Sequence, residues 1–280
     1  LCAMGIDVIA PGLMPTPAVA RVVSETDAAG GVVISASHNP FYDNGIKFFD
    51  STGFKLDDAL EIEIENSLPT AFDLPRAIHA DIGHMRREPD MLNLYREHVE
   101  DTLDSTRLDG LKIVVDAGHG AASYLAPTIL RDLGADVIEL NCKPNGVNIN
   151  HNCGATCPQQ MAETVVSSGA DFGVSFDGDA DRAIFADSSG KIVDGDHVMA
   201  ICGIQMAQTG KLPGGTVVGT IMSNMGLEIA LREHGLTLLR ANVGDRHVSE
   251  KMRGGGFMLG GEKSGHIIFG ALSTTGDGIL

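Results

Sequence analysis

Basic residues are scarce in this 280-residue chain: 20 Lys and Arg stand against 37 Asp and Glu, a formal charge of −17. A surface of that sign repels the phosphates of nucleic acid and of anionic membranes, so neither is expected as a partner. The sequence also lacks any run of about 20 apolar residues, which argues against a membrane-spanning helix, and no signal peptide is visible. Tryptophan is absent, and that excludes nothing. There are only five cysteines, Cys2, Cys142, Cys153, Cys157 and Cys202. An odd count without paired spacing fits a reducing, cytoplasmic setting. Among them, Cys142, Cys153 and Cys157, with His151, lack the close pairs of a zinc knuckle and read as plain thiols. The chain opens on Leu1 inside an apolar stretch, so both ends read as cuts in a longer protein.

What is present is ordinary globular material, 43% hydrophobic and 20% charged, with 35 glycines clustered in short polar loops. Short β-branched runs alternate with helical stretches. Val32 to Ser35, Lys112 to Ala117, Asp136 to Leu140 and Asp171 to Phe176 read as strands, as do GTVVGT, LTLLR and GFMLGG further on. Such alternation argues for an α/β fold with mixed, largely parallel sheets. Thr16 before Pro17 and Asp196 before HVMAICGIQMAQ read as helix N-caps. LDDALEIEIENSL reads as an exposed helix with one apolar face. The segment from Pro69 to Glu88 has no clear period and precedes a long helical stretch. Divisions near residues 90 and 192 therefore give three α/β domains, 1–90, 91–192 and 193–280.

Four segments carry candidate chemistry. In ISASHNPFYDNGIKFFD a strand ends in a small-residue loop containing Ser37, and Pro40 keeps that loop from becoming helical. His38 and Lys47 could stabilise a phosphoryl group beside an exposed serine; the alternative is an ordinary polar turn. In FDGDADRAIFAD, Asp177, Asp179 and Asp181 alternate after an apolar strand end. Three mutually repelling carboxylates around one point favour a hard cation such as magnesium or calcium over the alternative, a solvated acidic hairpin turn. A calcium EF-hand is excluded, because Arg182 and Ser188 occupy the positions of its glycine and closing glutamate. In GGEKSGHIIFG, Glu262, Ser264 and His266 alternate in a loop between strands and suit the binding of sugar hydroxyls; the alternative is an ordinary polar hairpin loop. In LRANVGDRHV, Arg240 and Arg246 could meet a phosphate or the rim of a sugar pocket, while Asp245 could form a local salt bridge.

SASHNP, DGDADR and GEKSGH occur together, in the order in which the α-D-phosphohexomutases have them, and the chain resembles that family over essentially its whole length. The flanking MPTPAVA, NCGATCP and RANVGDRHV are most similar to the members that act on glucosamine phosphate. The resemblance implies related α/β domains around an active-site cleft and a reaction between hexosamine 6- and 1-phosphates through a hexose 1,6-bisphosphate. Mannose and glucose phosphates are the alternative substrates, and a non-catalytic sugar-phosphate-binding fragment is the alternative class. It implies that Ser37 carries the phosphoryl group and joins the three aspartates on Mg²⁺. His38 and Lys47 would serve proton transfer or charge stabilisation, and Arg182 would sit beside the metal loop. Glu262, Ser264, His266, Arg240 and Arg246 would bind substrate. It leaves room for a homodimer. His247 stands where the pattern leads one to expect tyrosine. The family's N-terminal arginine loop and fourth domain have no counterpart here, so this stretch alone is expected to bind Mg²⁺ but turn over poorly.

Overall fold

The computed structural model describes residues 1–68 and 74–280, apart from the Asp58 side chain. The first five residues of the irregular segment from Pro69 lie outside the described residues. The α/β expectation holds. Near the start lie β1 (Val8–Ala10), α1 (Thr16–Ser24), β2 (Gly30–Ile34), β3 (Ile46–Asp50) and α2 (Asp58–Ser67). β2 and β3 form an antiparallel hairpin, and β1 pairs in parallel with β4 (Met85–Arg87). β4 carries no strand signal in the sequence, because all three of its residues are exposed and show no alternation.

Next come α3 (Leu92–Asp101), β5 (Lys112–Asp116), α4 (Ala122–Asp132), β6 (Asp136–Leu140), α5 (Gln159–Ser168), β7 (Phe172–Phe176), β8 (Ala183–Asp187) and β9 (Ile192–Val193). Their sheet has the order β6-β5-β7-β8-β9, with β6, β5 and β7 parallel and the last two strands antiparallel. β5 is buried on both faces. Ile113 and Val115 pack with Ala122 and Ala126 of α4, whereas Val114 packs with Met161 and Val165 of α5. A strand covered on both sides reads as a continuous apolar run, which is why KIVV is legible.

The remainder comprises α6 (Gly195–Gln208), β10 (Thr216–Thr220), α7 (Met225–Glu233), β11 (Thr237–Ala241), α8 (Asp245–Gly255), β12 (Leu259–Gly261) and β13 (Ile267–Phe269). The sheet order is β11-β10-β12-β13, parallel except for β13. Both larger sheets thus place their first strand between the second and third and add an antiparallel fourth beside the third. No helix among the described residues is long and apolar enough to cross a membrane.

Two capping expectations need correction. α1 is preceded by Pro15, and Thr16 is its first residue. The Thr16 hydroxyl donates instead to Asp179 Oδ2 at 2.5 Å. α6 is capped by Asp194, whose side chain accepts from the His197 N–H. Asp196 is buried in the first turn and accepts from Asn224 N at 2.9 Å. α4 begins four residues before the expected APTILRDLG and carries Pro127 inside it.

α3 packs against both α1 and α4 around buried Tyr95 and Val99. The Tyr95 hydroxyl donates to Asp277 Oδ1 at 2.7 Å, and that oxygen also accepts from the N–H groups of Ile279 and Leu280. Burial pushes the Asp277 carboxyl up to about 6 from the ordinary 3.8, against the opposing pull of those hydrogen bonds. The raised folded value means that the neutral form is favoured in the fold. Its contribution to stability is complete below the unfolded value and is lost as pH rises through the folded one. Asp277→Asn keeps the acceptor and removes the charge. Urea midpoints should show the variant gaining on the parent between about pH 4 and pH 6 and a constant difference above; parallel pH profiles would refute this account.

Candidate active site

All three motif loops leave antiparallel hairpins. The Ser37 loop joins β2 to β3, the aspartate loop joins β7 to β8 in one sheet, and the Glu262 loop joins β12 to β13 at the matching place in the other. The aspartate loop is tightly built. Ala180 takes a left-handed φ of 57°, and its N–H donates to Asp177 O. Gly178 has no room for a side chain: a methyl there would stand 2.6 Å from the carbonyl oxygen of Ser37 and 2.9 Å from Asn150 Nδ2.

Asp177, Asp179 and Asp181 are 0%, 2% and 3% exposed, and one carboxylate oxygen from each lies within 4.8 Å of the others. Ser37 Oγ donates to Asp177 Oδ2 at 2.7 Å, and the Arg182 N–H donates to Asp177 Oδ1 at 3.2 Å. Lys47 Nζ donates to Asp179 Oδ2 at 2.5 Å and to Asp181 Oδ2 at 3.1 Å. Asp179 Oδ1 and Asp181 Oδ1 are buried with no hydrogen-bond partner. Two orphaned carboxylate oxygens in a trio of hard oxygen donors fit a divalent cation, which would satisfy both and offset the charge that one lysine cannot. Burial first, and then Asp181 and Asp179, push the Asp177 carboxyl well above the usual range. Burial works against the Lys47 ammonium, but Asp181 and Asp179 outweigh it and hold Lys47 above an ordinary lysine. Desolvation and the Arg182 charge lower the pKa of exposed His38, which also feels Asp181, Asp179 and Lys47.

The structure thus brings Ser37, His38, Lys47, Arg182 and the three aspartates together, but it redistributes the expected sugar-binding set. Glu262 is half-buried, with Oε1 accepting from Gly244 N at 3.0 Å, and Ser264 is exposed on the same loop. His266 does not face open space with them. It is 1% exposed, its Nε2 accepts from Gly276 N at 3.1 Å, and its Nδ1 lies 3.7 Å from Asp181 Oδ2. It therefore backs the aspartate cluster, whereas Ser264 lies exposed in the turn, and Gly265 between them takes a left-handed φ of 92° that redirects the chain. Arg240 is also occupied: it donates to the carbonyls of Thr220 and Ser223 and to Glu228, bracing the loop between β10 and α7. Arg246 reaches Leu56 O and Glu61 Oε2. Asp245 pairs with Lys55, 190 residues away, so its salt bridge is not the local one expected. Thr16, Lys55 and Asn150 went unrecognised in the sequence. Their partners lie more than 100 residues away, so no local pattern marks them.

Family models for phosphoglucomutase/phosphomannomutase match the chain in three consecutive pieces: alpha/beta/alpha domain I over residues 1–73, domain II over 93–190 and domain III over 194–280. The chain belongs to the phosphoglucomutase/phosphomannomutase family. It is 52% identical over 281 residues to the phosphoglucosamine mutase of Symbiobacterium thermophilum and 50% identical to that of Rhodococcus opacus. In each case it is covered completely, and it spans 62% and 63% of those proteins. Thus the chain spans about three fifths of the length of the curated relatives it matches. Among solved structures it is similar to a phosphoglucomutase/phosphomannomutase family protein from Burkholderia thailandensis, with a TM-score of 0.86 and 26% identity over 100% of this chain and 61% of that one. This membership bears out the resemblance carried by the three motifs.

The crowding at Gly178 gives a direct test of how the family's two central loops fit together. Gly178→Ala must displace either the Ser37 loop or Asn150 and should cost about 1–3 kcal/mol, read from chemical unfolding. An unchanged midpoint would mean that the loops are not packed at this distance.

Proposed function

We propose that the chain is part of a phosphoglucosamine mutase that interconverts glucosamine 6-phosphate and glucosamine 1-phosphate through phosphoserine at Ser37 and a 1,6-bisphosphate. The observation that carries this is the 2.7 Å hydrogen bond from Ser37 Oγ to Asp177 within a buried trio of aspartates. The names of relatives about 50% identical support the amino-sugar choice. The domain division at 90 and 192 belongs to the same proposal. Five free cysteines support a cytoplasmic setting.

In this reading Asp177, Asp179 and Asp181 hold Mg²⁺ together with the Ser37 phosphate. When bound, the ion supplies charge compensation and orientation for in-line phosphoryl transfer. The chain's own groups do the rest. In the first half-reaction the bond from phosphorus to Ser37 Oγ breaks, a bond from phosphorus to a sugar hydroxyl oxygen forms, and the hydroxyl proton leaves. In the second, Ser37 Oγ takes the other phosphoryl group of the bisphosphate, and the freed sugar oxygen recovers a proton. Lys47, hydrogen-bonded to Asp179 and Asp181, is placed for charge stabilisation or proton transfer. His38, whose pKa is lowered by desolvation and by the Arg182 charge, suits proton transfer. Arg182 supports the transferred group, and Glu262 and Ser264 orient the sugar.

Phosphopeptide mass spectrometry should find phosphate on Ser37 after incubation with glucose 1,6-bisphosphate and Mg²⁺, and its loss on adding glucosamine 6-phosphate. Ser37→Ala should take up none. Phosphate uptake at other sites only, or no uptake, would sink the proposal. Separately, Mg²⁺ should raise the thermal midpoint of the parent protein, and Asp179→Asn should abolish that rise. A rise retained in the variant would remove Asp179 from the ion's ligands.

A further inference from the structure

We propose that Asn150, in the connection between β6 and α5, is a positioning residue for the Ser37 hydroxyl. Its side-chain Nδ2 donates to two carbonyls of the serine loop, Ser37 O and Asn39 O, each at 2.9 Å. Carbonyl oxygens only accept, so the amide has a single workable orientation with its NH₂ toward the loop. Ser37 needs such a hold. Its φ is 55°, a left-handed backbone that costs an L-residue about 1–2 kcal/mol. Within its own loop, the Ser37 N–H is tied to Ser35 Oγ at 2.9 Å.

The clamp is anchored in the same unit that carries the aspartates. The Asn150 N–H donates to Gly118 O at 2.8 Å. The Gly118 and Gly154 N–H groups on either side both donate to the fully buried Asp116 carboxylate, each at 2.9 Å. Asn150 Oδ1 is buried without a partner. A residue selected only for packing would not leave a carbonyl stranded, whereas one needed for its two donors must accept that cost. The side chain thus transmits the register of the aspartate loop to the serine loop across a unit boundary. It holds Ser37 where its hydroxyl meets Asp177.

The kinetic consequence rests on the phosphoserine reading, and the test separates the two. Asn150→Asp keeps size and tolerance of positive φ but turns an acceptor onto both carbonyls, and Asn150→Gly keeps only the backbone freedom. Phosphate transfer from glucose 1,6-bisphosphate to Ser37 is followed across bisphosphate concentrations. Thermal midpoints, a Mn²⁺ titration and hydrogen exchange of residues 35–40 accompany it. The expected result in both variants is a maximal rate lowered on the order of tenfold or more. Half-saturation and Mn²⁺ affinity should hold, and exchange should quicken only in the serine loop. Parental rates and exchange would overturn the assignment. Global unfolding of both variants, or a rate loss matched by lost Mn²⁺ affinity, would overturn it too by making Asn150 structural. If the unaltered chain takes up no phosphate, the functional reading fails. Exchange then decides alone: faster exchange confined to residues 35–40 upholds the clamp, and unchanged exchange ends it.

Discussion

Three carboxylates buried within 4.8 Å of one another form the constraint on which the rest of this structure depends. Unpaired ionised groups in a low-dielectric interior are costly, so such a cluster persists only where other charges and donors converge on it. The partners come from far along the chain. Thr16, Ser37 and Lys47 arrive from the first elements, and His266 arrives from the last sheet. The aspartates are therefore as much the junction of the α/β units as a candidate metal centre. Local positive groups also offset the acidity of the chain at this point. Lys47 and Arg182 set the field at the cluster, whatever the net charge of the surface.

Topology delivers these groups with little improvisation. Each motif occupies the hairpin leading into an antiparallel strand, and in the two larger sheets that hairpin sits at the same place. A hairpin rigidly registered at both ends can present alternate residues in fixed directions. In the turns themselves the left-handed Ala180 (φ 57°) and Gly265 (φ 92°) bend the chain, so that Asp177, Asp179 and Asp181 meet at one point while Ser264 stays exposed and His266 is buried. Close backbone approach then matters more than side-chain bulk, and Gly178 beneath Ser37 is where the need is sharpest.

Around this centre run secondary ties of a different kind. Lys55 to Asp245, and Arg246 to Glu61 and Leu56, join the first elements to the start of α8. Tyr95 to Asp277 fastens α3 to the last residues of the chain. The partly exposed ion pairs contribute modestly, whereas the buried tyrosine–carboxyl contact is high-stakes, because either group alone would be left unsatisfied. Together they tie the first elements and the last residues to the units that carry the motif loops.

From sequence alone one could read the α/β class, the strands buried on both faces, the three loops and the closely spaced Asp177, Asp179 and Asp181. All of these are local patterns, of alternation, apolar runs or closely spaced like charges, that need no knowledge of distant partners. What only the tertiary structure decided were the pairings. It took Thr16 from a cap to an aspartate's hydrogen-bond donor, and Asp196 from a cap to a buried acceptor. It turned His266 and Arg240 from sugar contacts into internal supports, and brought Asn150 to the serine loop. Each of these side chains has several possible partners, and its local sequence does not select among them. The selection is made when segments apart in the chain, from 12 residues for Arg240 and Glu228 to 163 for Thr16 and Asp179, are packed against one another, since only then does burial penalise every arrangement that leaves a polar atom alone.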